Sequence, residues 1–480
     1  MWQPVLMIDG FILCVLALSM FVPAALDMLE NQTNWSPFCS TALITLFIGL
    51  MLFLSSKNKV GKLSLRQGYL ITFCCWVSVA VFSSLPFIFS GSVADIASAF
   101  FESVSGVTAT GATVIADVES LPRSVLLWRS MLNGLGGIGV VIFAVAMLPF
   151  LGIGGMQVFE RESSDTTDKL MPKFIDVAKW IIGVYLSLVA LCTISLYFCG
   201  MGRFDALNHA LSAVATAGSS TKNDSVAYFN SASVEMVLTL FMILGALPMT
   251  FYIILLRKHE MDPLRIGQIK CFLKAVFIFT VLLSFYLMFV NKMHFLTALR
   301  LSLFNIVAIM TTTGLSSADY LDWGVWTAVF FTLLSLHGGC IGSTTGSIKV
   351  MRWQVLKSYF HKFLLTSIEP NRVVPIKIGD VTVSDKTVTS VFVYIMSFLA
   401  SIGGVALILN LLGYDLTTSV TAAVSTVTNT GPGAAKAISA SGNYAFFGSF
   451  AKYVLCFAML LGRLEIMTVL VIFTKSFWKN

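Results

Sequence analysis

A stretch rich in threonine and glycine occurs four times along the chain, each time at the end of a short apolar segment. We call these stretches Thr/Gly loops one to four; they lie at 108–113, 215–220, 310–316 and 428–433. Their glycines, Gly111, Gly218, Gly314 and Gly431, are 107, 96 and 117 residues apart. A single Thr-x-Gly is common in any loop, but four at a near-constant spacing predict four copies of one structural unit.

The composition predicts a membrane protein that crosses the bilayer several times. Hydrophobic residues make up 57% of the 480 residues and charged residues 11%, and the mean hydropathy is +0.86, far from the averages of soluble proteins. Ten apolar runs are long enough to cross a core of ~30 Å. They lie near 5–29, 37–56, 68–90, 124–151, 178–200, 233–256, 271–291, 322–360, 387–413 and 445–477.

Four further apolar segments, 95–108, 205–216, 295–311 and 415–428, are too short to cross, so we expect each to enter the membrane partway and return. The predicted fold is therefore an all-α polytopic membrane protein with ten transmembrane helices and four re-entrant half-helices. Two additional N-terminal helices occupy 1–67. Four repeats of span, half-helix, loop and span follow at 68–151, 152–257, 258–360 and 361–480.

The half-helices have polar residues near their starts that are candidate N-caps. These residues are Asp95, Asp205 and Asp415 in repeats one, two and four, and Thr297 is the nearest candidate in repeat three. Ordinary interfacial polarity is the alternative explanation for the aspartates. In either case the partially negative C-terminal end of each half-helix points to its Thr/Gly loop, which favours a cation there.

The basic residues predict the orientation. With the N-terminus inside, segments 57–67, 152–179, 257–274, 349–386 and 475–480 are cytoplasmic and carry 22 of the 31 Lys and Arg residues, as the positive-inside rule requires. Both termini are then cytoplasmic, and the Thr/Gly loops open from the external face. A signal peptide at 10–26 is the alternative for the first run, but no basic n-region precedes it.

Four equivalent loops can surround an axis, and a glycine in each permits the backbone to turn carbonyl oxygens toward it. A ring of carbonyls replaces the hydration shell of a monovalent cation without a fixed charge. Close helix packing through small residues is the alternative, although it does not require a half-length helix before each loop. The predicted ion-binding residues are Ala109, Thr110, Gly111, Thr216, Ala217, Gly218, Thr312, Thr313, Gly314, Asn429, Thr430 and Gly431.

With these loops the chain resembles the Trk/Ktr potassium-uptake family, in the branch of the TrkH-type membrane subunits. The resemblance covers nearly the whole chain and includes FESVSG at 101–106, LSLFN at 301–305 and NTGPG at 429–433. It implies a pseudo-fourfold pore that selects K⁺, a bacterial inner-membrane location, a homodimer, and a cytosolic nucleotide-binding RCK-type regulatory subunit, TrkA-like. Nothing in this chain resembles a nucleotide fold, since no GxGxxG follows a predicted strand, so nucleotide control would come from a separate chain.

Two of the loops bear on ion choice in different ways. Loop two reads Ala217-Gly218-Ser219 where the family often has paired glycines followed by an aromatic residue, so we expect that quarter to be looser. In loop one Gly111 stands where sodium-favouring relatives carry serine, so the resemblance favours potassium.

The run 322–360 is interrupted by GGCIGSTTGS at 338–347, which we call the Gly/Ser loop. Four glycines at up to ~1 kcal/mol each support a helix poorly, so we expect the span to break. By resemblance this is an intramembrane gating loop, whereas a flexible kink is the alternative. Its predicted gating residues are Gly338, Gly339, Gly342, Ser343, Thr344, Thr345 and Gly346.

Arg463 is a further predicted gating residue, outside the Gly/Ser loop, and lies mid-span in the last apolar run. A cation facing lipid would cost about 2.5 kcal/mol or more, so we expect it to face the interior. There it would act as an electrostatic barrier and could hydrogen-bond carbonyls of the Gly/Ser loop. A buried pair with Glu465 is the alternative, although residues two apart do not face each other on a helix.

The sequence thus predicts inward conduction of K⁺ through a channel-like pore, with K⁺ as the transported ion, no organic cofactor and no enzymatic activity. A secondary transporter that couples K⁺ or Na⁺ to protons or Na⁺ is the alternative. It would normally need an ionisable group in the path, for which Arg463 is the clear mid-span candidate. A membrane enzyme is a weaker rival, because the chain has no HExxH and no GxSxG.

Overall fold

A computed structural model describes residues 2–32, 35–56, 64–151, 170–258, 267–378 and 381–479. Parts of the predicted cytoplasmic segments, at 57–63, 152–169, 259–266 and 480, lie outside the described residues. The α-helices are α1 Trp2–Leu29, α2 Trp35–Ser56, α3 Leu65–Phe89, α4 Ile96–Val107, α5 Arg123–Leu151, α6 Leu170–Phe198, α7 Arg203–Val214, α8 Ala232–Ala246, α9 Met249–Lys258, α10 Gly267–Phe289, α11 Phe295–Met310, α12 Val325–Ser335, α13 Val350–Ile368, α14 Asp385–Leu411, α15 Leu416–Thr428, α16 Ser449–Arg463, α17 Ile466–Ile472 and α18 Lys475–Trp478. Two strands of two residues each, β1 Lys377–Ile378 and β2 Val381–Thr382, pair in antiparallel orientation.

The long helices confirm a nearly all-helical, multi-pass membrane protein. Within the described ranges, seven helices are long and apolar enough to cross a membrane, or up to nine if each of two bent helix pairs counts as one span. The run 322–360 consists of two separate helices, α12 and α13, with a non-helical segment at the predicted break. The count of ten spans therefore stays a prediction.

Two predicted spans are not continuous helices. The run 233–256 bends by 90° between α8 and α9, where Leu247 is extended because Pro248 follows it. The run 445–477 bends by 113° between α16 and α17, where Glu465 is left-handed with φ 59°. Arg463 therefore ends a helix instead of lying mid-span.

Four short helices, α4, α7, α11 and α15, lie where the half-helices were predicted and each leads into a Thr/Gly loop. Asp95 and Asp415 cap α4 and α15 by accepting hydrogen bonds from the backbone N–H groups of Ser98 and Thr418. The other two predicted caps were wrong. Helix α7 begins earlier, after Gly202, so Asp205 lies in its first turn, and α11 begins after His294, so Thr297 lies inside the helix.

The loops and the short helices lie in the interior of the molecule. One apolar core joins the first five helices to the C-terminal helices, and a second surrounds α7 and α11. Large apolar side chains such as Phe11, Phe198 and Phe289 are exposed on the long helices, as expected for surfaces that face lipid. The polar Thr/Gly loops are therefore shielded by a layer of apolar helices.

Candidate functional site

The four Thr/Gly loops close into a ring in chain order. At each ring glycine an added Cβ would overlap the carbonyl oxygen of the residue just before the glycine of a neighbouring loop. The pairs are Gly111 with Ala217, Gly218 with Thr313, Gly314 with Thr430, and Gly431 with Thr110. The structure thus brings together all twelve residues predicted for ion binding, although the order of contacts could not be predicted from the spacing.

The backbone takes the same course in all four loops. Each has two left-handed residues separated by one other residue. They are Ala109 (φ 52°) and Gly111 (79°), Thr216 (53°) and Gly218 (83°), Thr312 (56°) and Gly314 (76°), and Asn429 (56°) and Gly431 (94°). The left-handed conformation costs a non-glycine residue roughly 1–2 kcal/mol, so the surrounding structure must impose it.

The residue between each left-handed pair carries the carbonyl that faces the ring. Its N–H donates back to its own short helix, from Thr110 to Ser105, Ala217 to Ser212, Thr313 to Ala308 and Thr430 to Ser425, over 2.8–2.9 Å. These N–H groups therefore point away from the ring, and the carbonyl oxygens of the same residues lie against the glycine of the adjacent loop. Among the described residues, none of these four carbonyl oxygens accepts a hydrogen bond, and all four residues are at most 1% exposed.

Hydroxyl pairs brace three of the four loops. The oxygens of Thr108 and Thr110 lie 2.7 Å apart, those of Thr311 and Thr313 2.7 Å, and those of Thr428 and Thr430 2.8 Å. The first threonine of each pair also donates to a carbonyl of its short helix. Loop two has Ala215 and Ala217 at these positions and lacks the pair.

A second set of braces was missed from the sequence. Nine residues before the ring glycine, three repeats carry a buried polar side chain that contacts a residue two or three positions after that glycine. Glu102 accepts from Thr113 at 3.0 Å, His209 lies 3.0 Å from the Ser220 hydroxyl, and Asn305 donates to Ser317 at 3.0 Å. The constant nine-residue offset was the available signal. In repeat four Tyr444 instead donates to the Gly431 carbonyl at 2.8 Å.

The two sides of the ring differ. On one side all four ring glycines line an open pocket, together with Arg129, Lys222 and Tyr444. Arg129 is paired there with Glu102 at 2.6 Å. On the other side the Gly/Ser loop packs against the ring: Thr344 contacts Thr216, and the N–H of Gly346 donates to the Thr312 hydroxyl at 2.9 Å.

The predicted gating residues lie together on this second side. Gly338, Gly339, Gly342, Ser343, Thr344, Thr345 and Gly346 all lie between α12 and α13, and 340–346 are buried. Arg463 is 4% exposed and donates to the carbonyls of Thr344 at 2.7 Å and Gly136 at 3.3 Å. In the parts of the chain that the structure describes, no carboxylate forms an ion pair with Arg463.

The alternative Arg463–Glu465 pair is not formed. Glu465 instead forms ion pairs with Arg352 and, at 3.8 Å, with Lys349. Both partners lie at the start of α13, next to the Gly/Ser loop. The bend between α16 and α17 therefore directs a cation to Thr344 of the Gly/Ser loop and a carboxylate to the start of α13, just after that loop.

The fold and the buried ring define a multi-pass membrane protein of the transporter class. A family model described as TrkH, cation transport protein, matches residues 36–479. The chain is 34% identical to the Trk system potassium uptake protein TrkI of Halomonas elongata, with 100% of this chain and 97% of the relative covered. It is also 34% identical to TrkG of Escherichia coli (strain K12), with 98% and 97% covered.

A solved structure agrees with these relatives. The crystal structure of the potassium transporter TrkH from Vibrio parahaemolyticus matches with a TM-score of 0.93 at 29% identity, over 100% of both chains. The chain therefore belongs to the TrkH family of cation transport proteins. The resemblance inferred from the loops is confirmed, and the protein is an ion transporter rather than an enzyme.

Proposed function

We propose that the chain conducts K⁺ into the bacterial cell, down its electrochemical gradient, through a channel-like pore whose selectivity filter is the ring of Thr/Gly loops. The observation that carries the proposal is the set of four buried ring carbonyls that accept no hydrogen bond among the described residues. Buried carbonyls normally have a partner, and a dehydrated monovalent cation is the partner that four convergent carbonyls suit. The membrane potential supplies ~2.3 kcal/mol per charge per 100 mV.

The choice of a cation, and of K⁺ in particular, has two supports. The C-terminal ends of α4, α7, α11 and α15 point to the ring, so their dipoles favour positive charge there. The relatives named as potassium uptake proteins match over nearly their full lengths. No ring residue is ionisable, which agrees with conduction better than with proton-coupled transport.

The Gly/Ser loop and Arg463 serve as the gate in this proposal. The loop occupies the side of the ring opposite the open pocket, and the Arg463 guanidinium adds an unpaired positive charge beside it. An ion leaving the ring must pass both. The open pocket then faces the outside of the inner membrane and the two termini face the cytoplasm, as the distribution of basic residues favours.

The proposal includes the assembly that the resemblance implies. The chain forms a homodimer and is controlled by a cytosolic nucleotide-binding, TrkA-like RCK subunit. Within each chain the four pore repeats occupy 68–151, 152–257, 258–360 and 361–480. Mixed-charge segments such as 349–386 provide the cytosolic surface for that subunit. Crosslinking in the membrane and co-purification with the regulator test these statements.

Ion flux from the purified chain in liposomes tests the function. We expect K⁺ uptake that exceeds Na⁺ uptake, depends on membrane potential and needs no proton gradient. Gly314→Val should abolish it, because any side chain there overlaps the Thr430 carbonyl, whereas Gly403→Val, at an exposed helical glycine with open space around it, should not. Flux that requires a proton gradient would favour the coupled transporter. Normal flux in Gly314→Val would show that the ring is not the selectivity filter.

A further inference from the structure

Loop two is the quarter of the ring with the least support of its own. The other three loops each have a threonine pair that ties the ring residue to its short helix, whereas loop two has two alanines there. Its left-handed residue, Thr216, nevertheless has the same conformation as its counterparts. Within the loop its hydroxyl bonds to the Ala215 carbonyl at 2.7 Å, so the support that the threonine pair gives elsewhere must come from outside the loop.

Thr344 of the Gly/Ser loop occupies the position from which it can do so. Its hydroxyl oxygen lies 3.1 Å from the Thr216 hydroxyl, 3.1 Å from the carbonyl oxygen of Val214 and 3.0 Å from that of Gly245. Thr344 is fully buried. One hydroxyl can donate one hydrogen bond and accept others, so Thr344 can donate to a carbonyl while it accepts from Thr216.

The backbone of Thr344 is held as well. Its carbonyl accepts from Arg463 at 2.7 Å, and its N–H donates to the Gly245 carbonyl at 3.3 Å. Thr344 therefore connects the proposed barrier residue to one quarter of the proposed filter through a single amino acid.

The contact between the Gly/Ser loop and loop three is different in kind. Gly346 donates its N–H to the Thr312 hydroxyl, but loop three keeps its own Thr311–Thr313 pair. Loop four likewise keeps its pair, and Asn429 adds donations to Thr110 and Met459. If the Gly/Ser loop moved away, loops one, three and four would keep these braces. The Thr216 hydroxyl of loop two would lose Thr344 and keep its bond to the Ala215 carbonyl.

We infer that Thr344 is a positioning residue for the second Thr/Gly loop, so that the ion selectivity of the ring depends on the Gly/Ser loop being in place. The inference rests on the proposed function of the ring and goes beyond it, since it makes gate and filter one connected element. Displacement of Thr344 loosens one of four carbonyls. The ring then discriminates less well against the smaller Na⁺ ion, whose coordination needs closer oxygens.

The test is a double-mutant cycle on the full-length chain in liposomes, with K⁺ and Na⁺ flux measured in parallel. Thr216→Val and Thr344→Val remove a hydroxyl at nearly constant volume. Each should lower the K⁺/Na⁺ flux ratio by roughly 3- to 10-fold, the range expected for one buried hydrogen bond. The double variant should be no worse than either single variant. Thr344→Ser, which keeps the hydroxyl, should restore most of the ratio.

Two controls separate this role from general damage. Thr193→Val removes a hydroxyl whose bond stays within α6, and it should leave the ratio unchanged. Thr312→Val removes the corresponding contact of the braced loop and should lower the ratio less than Thr216→Val.

An unchanged ratio in Thr344→Val with normal K⁺ flux overturns the inference, and so do additive effects in the double variant or equal effects of Thr216→Val and Thr312→Val. Failure of Thr344→Ser to restore the ratio assigns the effect to packing and overturns it as well. If the unaltered chain shows no preference for K⁺, the proposed function itself fails. That outcome is distinct from a selective wild type with unaffected variants.

Discussion

The spans of repeats two and four both bend sharply, by 90° and 113°, but different chemistry produces the two bends. Both bend just after a glycine that lies against a carbonyl of a short helix, Gly245 against Val214 and Gly462 against Val427. In repeat two the bend is caused by Pro248, which keeps Leu247 extended. In repeat four it is caused by the left-handed Glu465 and its ion pairs. Repeat one has the corresponding contact of Gly136 with Val107, but α5 continues without a bend.

Both bends hold the Gly/Ser loop, one through the backbone and the other through charge. At the repeat-two bend, Cys340 donates to the Ala246 carbonyl at 3.0 Å and Met249 donates to the Gly342 carbonyl at 2.9 Å. At the repeat-four bend the contacts come from the side chains of Arg463 and Glu465. A competing charge can release the second set but not the first. If the loop moves, we expect the part around Thr344, which Arg463 holds, to be displaced before Cys340 and Gly342, which are bonded to the repeat-two backbone.

Loss of the carboxylate should have the largest effect. Glu465→Ala leaves Arg352, 2% exposed, and Lys349, 6% exposed, without their partner, and breaking a buried pair typically costs about 3–5 kcal/mol. We expect a clear drop in the thermal unfolding midpoint in detergent. Glu369→Ala, at an exposed ion pair with Arg372, is the matched control and should change it little. An unfolding midpoint equal to that of the wild type would show that the bend does not depend on these ion pairs.

The next largest effect should be a difference in stability between alanine substitutions at the two glycines that precede the bends, Gly462 and Gly245. Gly462→Ala places a methyl group on the backbone carbonyl of Val427, whereas the same group at Gly245 would lie 2.7 Å from the Val214 carbonyl. Overpacking of this kind costs about 1–3 kcal/mol, so Gly462→Ala should destabilise the protein more than Gly245→Ala. Thermal unfolding midpoints of the two variants measure this difference. The reverse order would mean that the backbone around Gly462 adjusts to the added methyl group more easily than the backbone around Gly245.

Removal of the guanidinium should act on flux more than on stability. Arg463→Ala removes a cation beside the proposed path and its bonds to Thr344 and Gly136, and we expect basal K⁺ flux to rise by roughly tenfold. Arg463→Lys keeps the charge and should raise flux less. Flux at or below the wild-type level, with normal expression, would assign Arg463 a structural role.

Pro248→Ala should have the smallest effect. The hydrogen bonds from Cys340 and Met249 remain, so we expect a loss of stability below about 1 kcal/mol and unchanged flux. A loss as large as that of Glu465→Ala would show that the proline, rather than the backbone bonds, maintains the repeat-two bend.

The features that could be predicted from the sequence are those encoded locally. Half-length apolar segments, the glycine of each loop and the glycine-rich break at 338–347 depend on residues close in the chain, and the structure has helices and loops at those places. The 113° bend at Glu465 could not be predicted, because Gly462 alone does not distinguish this helix from others that contain glycine and the partners of Glu465 lie more than a hundred residues earlier. The caps at Asp205 and Thr297 failed because the two helices begin at other residues.

The candidate site also combines features that the local sequence encodes with features that it does not. All twelve ring residues followed from the repeat spacing, since each loop lies at the same place in its own unit. The braces did not, because Glu102, His209 and Asn305 differ in type although they share one offset. The contact of Thr344 with Thr216 joins residues 128 positions apart and leaves no local pattern.

Because the ring is made from one polypeptide, its quarters are encoded by separate codons. A ring of four identical chains changes all its quarters with every mutation, so a damaging change is applied fourfold. Here one quarter has two alanines where the three others have a threonine pair. Selection can therefore adjust such a ring in steps of a single quarter, and an unequal ring is the expected product of that process.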